Sequence, residues 1–217
     1  DFSLTGPATY RLTAKYKNKG IYSFCMCPGG FIIAGASEKN LQVLNGMSYL
    51  HRNNNFSNSA IVVNVNKIDF GNKILSGIEF QRNMEKKCFK KNKQYFAPAQ
   101  FAKDFLENEI SSSDLHTSYN PGIFKANLNN LLPLQINEAL KYGLKIFEKR
   151  IPGFVKKGIL LAPETRTSSP IRILRNKEVF ASLTLPDLYP VGEGSGYSGG
   201  IISSAADGYK LGKIFYC

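Results

Sequence analysis

The sequence predicts an α+β protein: a mixed sheet with helices over residues 1–185, then a strand, a glycine-rich turn and a helix over 186–217. Three observations lead there. Alternating apolar and polar positions dominate the first third of the chain, the period of a half-buried strand. From Ser76 the apolar spacing becomes helical. Finally, the apolar run Leu188-Tyr189-Pro190-Val191 breaks into Gly192-Glu193-Gly194-Ser195-Gly196-Tyr197-Ser198-Gly199-Gly200, five glycines in nine residues, before a helical pattern resumes over 201–214.

Residues 10–16 alternate, with Lys15, Lys17 and Lys19 expected outward, and Asn18 and Gly20 read as a turn into a second strand over 21–25. Pro28-Gly29-Gly30 breaks the pattern, and Phe31-Ile32-Ile33-Ala34 restarts it as a third strand. Gln42-Val43-Leu44 leads to Asn45-Gly46, read as a turn. The Asn-rich stretch 51–58 reads as a loop before a strand over 60–65.

Leu75, Ile78, Met84 and Cys88 fall at helical spacing, with Glu79, Arg82, Glu85 and Lys86 expected to face water. Pro98 suits the first turn of a second helix carrying Phe101, Phe105 and Leu106 on one face, ending before Ser111-Ser112-Ser113. A short helix at Leu128, Leu131 and Leu132 stops at Pro133. The clearest helix covers 134–147, with Ala139, Leu140, Leu144 and Phe147 on one face, and Pro152-Gly153 ends it. Strands follow at 159–161 and 171–174, the latter leading through 180–185 into the terminal strand.

At 217 residues the chain can bury a sizeable core, roughly 70% of its unfolded surface. No apolar run approaches the ~20 residues that span a bilayer, so no membrane segment is expected, and the first residues carry no signal-peptide pattern. Four irregularly spaced cysteines are too few for a secreted disulfide framework. The net charge of +12 admits attraction to nucleic acid, anionic lipid or phosphorylated ligands without choosing among them. Solvated lysines such as Lys86, Lys87, Lys90, Lys91 and Lys93 explain much of it as composition.

A strand, a glycine turn and a helix opening on small residues present backbone N–H groups to an anionic or phosphorylated ligand. Gly194, Gly196 and Gly199 match G-x-G-x-x-G, but the dinucleotide fingerprint needs a βαβ unit and an acidic residue about 20 positions on, and the sequence ends at Cys217. The turn reads instead as the last strand and helix of a larger unit. A strand here would lack ladder partners, so the segment is expected to pack differently or to pair with another molecule.

The run 188–201, followed by Ser204-Ala205-Ala206-Asp207-Gly208, resembles the C-terminal signature of a family of bacterial FAD-dependent dehydrogenases, NAD/FAD-utilising proteins of uncharacterised substrate. Tyr10-Arg11-Leu12-Thr13, Tyr22-Ser23-Phe24-Cys25-Met26-Cys27-Pro28-Gly29-Gly30, Asn45-Gly46-Met47-Ser48, Asn58-Ser59-Ala60 and Glu164-Thr165-Arg166-Thr167-Ser168-Ser169-Pro170 resemble, in order, the second half of that family. The resemblance implies an FAD-dependent oxidoreductase in the cytoplasm, with 1–185 as a substrate or cap domain and 186–217 as the end of an FAD-binding Rossmann-like domain. The family's N-terminal, ADP-binding half is not in this sequence. The chain is therefore expected to be a fragment, inactive alone, whose partners are that half and a small-molecule substrate. FAD is the implied cofactor of the full-length protein, and participation of NAD(P) is left open.

Within this resemblance the cofactor-binding residues are Gly192, Glu193, Gly194, Gly196, Gly199, Gly200 and Ile201. Glu193 accepts a hydrogen bond from the flavin ribityl chain, and the N–H groups of Gly199, Gly200 and Ile201 face the pyrimidine edge. The competing reading is that the glycines only permit close packing and that Glu193 is an exposed turn residue. Cys25, Cys27, Arg166, Ser168 and Ser169 are substrate-side candidates, and no catalytic residue is assigned.

On a strand Cys25 and Cys27 would share a face about 6.6 Å apart, near the limit for a disulfide. Small buried thiols are the common outcome for such residues. Arg166 suits bidentate binding of an anion, or equally a salt bridge to Glu164 or to the absent half. His51 and His116 stand alone, which leaves neither a metal site nor a hydrolase triad. Against the flavoprotein reading stands a basic module for RNA or another polyanion, with nucleic acid the disfavoured partner; steep weakening by salt would distinguish it.

Overall fold

The computed structural model describes residues 11–90, 92 and 95–216; Tyr10, Lys91 and Lys93, named above, lie outside the described residues, as does Cys217. The chain divides into two compact units, the first made of residues through Asn66 together with Arg82–Glu164, the second of Lys67–Gln81 together with Thr165 onward. The architecture is mixed α and β, with small sheets and helices.

In the first unit, β1 (Thr13–Tyr16) and β2 (Lys19–Cys27) form an antiparallel hairpin, and β5 (Asn58–Val63) pairs antiparallel with the other edge of β2. The register Tyr16↔Lys19 leaves Lys17 and Asn18 as the loop, with Lys17 at φ +53°. The turn expected at Asn18 and Gly20 is thus one step earlier, and Gly20 lies within the strand opposite Lys15. Lys19, expected outward, is buried where β2 begins.

β3 (Phe31–Ala34) and β4 (Leu44–Met47) form a separate antiparallel pair. Asn45-Gly46 is strand here, not a turn: Gly46 pairs with Ile32, and a Cβ on it would stand 2.2 Å from Asn58 Oδ1 and 3.3 Å from Cys27 Sγ. Close approach, rather than backbone freedom, accounts for this glycine.

The third sheet is mixed. β6 (Ala97–Phe101) is central, parallel to β7 (Ile123–Lys125) and antiparallel to β8 (Ile159–Leu161). The helix expected to open at Pro98 begins only at Ala102, as α3 (Ala102–Glu107). Residues 97–100 are all buried, a two-sided burial that a central strand satisfies. Ala162 N–H donates to the Pro98 carbonyl at the end of the β8 ladder, so the missing proline donor breaks no interior rung. A single 3-10 turn (Leu128–Asn130) takes the place of the expected short helix.

The long helix α4 (Leu134–Arg150) covers the β1–β2–β5 sheet. Leu12, Ile21, Ala139 and Phe147 form the core between them, with Phe154 edge-on to Phe147 at 5.9 Å. Gly143 lets the helix close on the sheet, since a Cβ there would lie 2.6 Å from Ile21 Cγ2. Past the helix end, the Glu148 carboxylate accepts the N–H groups of Gly153 (2.8 Å), Val155 (2.6 Å) and Lys156 (3.4 Å), and those bonds hold its pKa below the ordinary value. A second cluster joins Cys88, Ala102, Phe105, Leu128, Leu144, Val155 and Ala162.

α2 (Ser76–Cys88) forms where helical spacing predicts it, but Glu85, expected in water, is fully buried on the face that also carries Cys88. The second unit contains α1 (Lys67–Phe70), the terminal helix α5 (Ile201–Tyr216) and irregular chain between 165 and 200. Neither 171–174 nor 188–191 forms a strand; the isolated bridge Arg175↔Ser182 is the β pairing described there. The backbone groups are used elsewhere. Ser182 N–H donates to the Leu188 carbonyl and Ile173 N–H to that of Ser195, while Pro190 has no N–H and its carbonyl accepts from Arg175.

Candidate functional site

The glycine turn of the second unit is a closed knot of local hydrogen bonds. Gly192 (φ +76°) and Gly196 (φ +84°) occupy the left-handed region. Tyr197 N–H donates to the Gly192 carbonyl at 3.3 Å and Gly196 N–H to that of Glu193 at 2.9 Å. The buried Ser195 hydroxyl also donates to Gly192, at 2.9 Å.

Residues 169–173 form one wall. Ser169 Oγ lies 3.1 Å from the Gly194 carbonyl and 3.0 Å from that of Ile171, and Arg172 Nε donates to the Gly196 carbonyl at 3.0 Å. A Cβ on Gly196 would meet the Ile171 carbonyl at 2.3 Å, so this position admits only glycine. At Gly194 and Gly199 nothing lies within 4 Å of where a Cβ would stand. Those two glycines face open space.

The turn runs into the N-terminus of α5. Gly200 N–H is taken by Ser203 Oγ at 3.1 Å, and the Ser198 and Ser204 hydroxyls meet at 2.9 Å. The N–H groups of Gly199 and Ile201 have no partner among the described residues. Glu193 is half-buried, and its carboxylate makes no hydrogen bond or ion pair among the described residues.

Behind the turn sits an ion pair that sequence reasoning missed. Arg175 Nη2 and Nη1 donate to the two Asp207 oxygens at 2.7 and 2.8 Å, with side chains only 8% and 13% exposed. Asp207 Oδ2 also accepts Gly192 N–H at 2.9 Å, and Arg175 Nη1 donates to the Pro190 carbonyl at 2.6 Å. The guanidinium stacks 3.8 Å from the Tyr197 ring centre and 4.1 Å from that of Phe180. The hydrogen bonds from Arg175, then that from Gly192, hold the Asp207 pKa down, and Asp207 in turn raises that of Arg175. Asp207 is the one acidic residue of α5, a signal available in the sequence; Arg175 had none.

All seven proposed cofactor residues, Gly192, Glu193, Gly194, Gly196, Gly199, Gly200 and Ile201, therefore share one turn and helix start. Ser169 joins them through Gly194. Arg166 and Ser168 lie upstream in the same unit, half-buried and exposed.

Cys25 and Cys27 belong to the first unit, where the regular strand spacing fails. Between the pairs Phe24↔Ala60 and Cys27↔Asn58, β2 has one residue more than β5, and Cys25 adopts φ +48°. The bulge re-aims both side chains. Cys27 Sγ donates to the Cys25 carbonyl at 3.3 Å, so no disulfide joins the two. Burial, then the nearby Glu164 carboxylate, raises the Cys27 pKa, with Arg52 opposing. Burial alone pushes Glu164 up to about 7. The fully buried Cys88 is pushed to about 12, which leaves it an inert thiol.

The family model described as "FAD-dependent protein, C-terminal domain-like" matches residues 3–167. The chain belongs to this family. As a member of an FAD-dependent family it is an FAD-associated protein, and the match covers β1 through β8, ending before the glycine turn. A curated protein of Clostridium beijerinckii, itself described as uncharacterized, is 44% identical over 213 residues, covering 95% of this chain. The chain spans about 40% of that relative's length. Among the described residues of this family member, no helix is long and apolar enough to cross a membrane.

Proposed function

We propose that this chain supplies the substrate domain and the flavin-side turn and helix of an FAD-dependent oxidoreductase of the dehydrogenase type. The observation that carries the reading is the glycine turn ending on α5, where the N–H groups of Gly199 and Ile201 have no partner among the described residues, beside open space at Gly194 and Gly199. Open space beside exposed donors leaves room for a planar, hydrogen-bonding ring system. Gly199 and Ile201 would donate to the polar edge of the flavin, and Glu193, its carboxylate unengaged, would accept from the ribityl hydroxyls. Gly200 contributes less than its position suggests, because Ser203 already takes its N–H. The helix N-terminus favours negative charge at this edge by ~0.3–2 kcal/mol. When bound, the flavin supplies the hydride- or electron-accepting chemistry, and the chain supplies position and electrostatics.

The rest of a longer polypeptide is the proposed partner and the source of the ADP-binding half. α5 buries none of its residues, and Ile201, Ile202 and Tyr209 are 87%, 82% and 67% exposed. A relative that extends well beyond this chain has the material to cover such a face. The chain 1–185 is proposed as the substrate side, with Cys25, Cys27, Arg166, Ser168 and Ser169 as its candidates. Flavin reduction by substrate or by NAD(P)H in a Cys27→Ser full-length protein tests the thiol; unchanged rates remove it. The cofactor assignment is tested by the visible spectrum of the protein purified with FAD, both as this chain and at the full length of its relative. No flavin in either form would overturn it.

A further inference from the structure

We propose that Arg175 and Asp207 are positioning residues for the flavin-binding turn: the pair holds Gly192–Tyr197 in its binding conformation before any ligand arrives. This inference rests on the flavin reading above. An ion pair with side chains as shielded as these, 8% and 13% exposed, seldom contributes through stability, since well-packed apolar residues of the same volume do as well or better. What this pair adds is specificity of backbone conformation. It grips the turn at three places: Arg175 on the Pro190 carbonyl, Asp207 on the Gly192 N–H, and the guanidinium against the Tyr197 ring.

A fourth contact fixes the pair itself, because Arg175 N–H donates to the Tyr197 hydroxyl at 3.2 Å. The Gly192 amide is thus tied to a helix residue fifteen positions away. Arg, unlike Lys, serves here because the planar fork meets both carboxylate oxygens and stacks at the same time. Asp207 in turn lies on α5, the helix whose N-terminal N–H groups face the proposed ligand. Turn and helix are thereby locked in one mutual orientation, and a ligand contacting both need not meet the cost of ordering them.

The test uses the full-length protein and FAD as the probe. Asp207→Ala is expected to weaken FAD binding roughly tenfold or more. Asp207→Asn, which keeps an acceptor for Gly192 N–H, is expected to recover part of the loss. An Arg175→Met, Asp207→Leu double variant guards against simple unfolding: it leaves no unpaired charge, so it should stay folded and melt no lower than Asp207→Ala, yet bind FAD as poorly. At saturating FAD, its bound flavin should show an altered visible band.

Amide hydrogen exchange supplies a second, ligand-free readout. Gly192 should exchange roughly tenfold faster in the double variant, with the α5 amides unchanged. Wild-type affinity and spectrum in a folded double variant would overturn the proposal, as would unchanged exchange at Gly192. If wild-type protein takes up no FAD, the flavin reading fails separately, and the exchange measurement alone decides whether the pair holds the turn.

Discussion

Glu164 offers a sharp test of the first unit. It is a half-buried carboxyl whose pKa burial raises from 4.5 to about 7. The folded protein therefore holds a proton that the unfolded chain releases between those two values. Stability from this group is fully present below about pH 4.5 and is lost as pH rises through about 7, above which the penalty stays constant. The full difference in proton affinity corresponds to roughly 3–4 kcal/mol, and partial solvent access reduces the expected cost to about 1–2 kcal/mol.

Glu164→Gln removes the charge while keeping the shape. The variant should match wild type near pH 4.5 and exceed it by about 1–2 kcal/mol near pH 8. That gain is roughly 2–8 °C in melting temperature for a chain of this size. Paired urea and thermal melts across this range measure it directly. Because Glu164 also raises the Cys27 pKa, alkylation of Cys27 should become faster in the same variant. Parallel stability of wild type and Glu164→Gln at every pH, or a variant less stable near pH 8, would refute the burial argument.

The glycines give a matched pair. Gly196→Ala combines φ +84° with a 2.3 Å approach to the Ile171 carbonyl and should cost about 2–4 kcal/mol. Gly194→Ala, facing open space, should stay within about 0.5 kcal/mol in the same denaturation assay. Gly143→Ala should destabilise by about 1–3 kcal/mol, because its methyl would press on Ile21. Mass spectrometry after thiol alkylation should find Cys88 modified only once the protein is unfolded, given complete burial and a pKa near 12.

What could be read from sequence follows from how local each signal is. The hairpin, β3, α2, α4 and α5 carry their own periodicity and breakers, so propensity and pattern agree over many residues. Residues 98–100 form strand rather than helix: Pro98 suits a helix start by local rule, and only the burial of both strand faces shows it at the end of a ladder. Asn45-Gly46 has a turn's composition, yet its glycine answers to Asn58 and Cys27 across the fold. The expected strands at 171–174 and 188–191 fail for a related reason: short apolar runs need a partner, and here their backbone groups bond to Ser195, Ser182 and Arg175 instead. In the turn, the glycines and Glu193 stand out in the sequence. The Arg175–Asp207 pair spans 32 positions, so no local pattern could join its two halves.

The most direct test of the central assignment is the visible spectrum of this chain, and of the full-length polypeptide, purified in the presence of FAD. The account predicts a bound-flavin spectrum in the full-length protein, and one that weakens when Gly199 or Glu193 is replaced. A full-length protein that stays colourless after addition of FAD would contradict it.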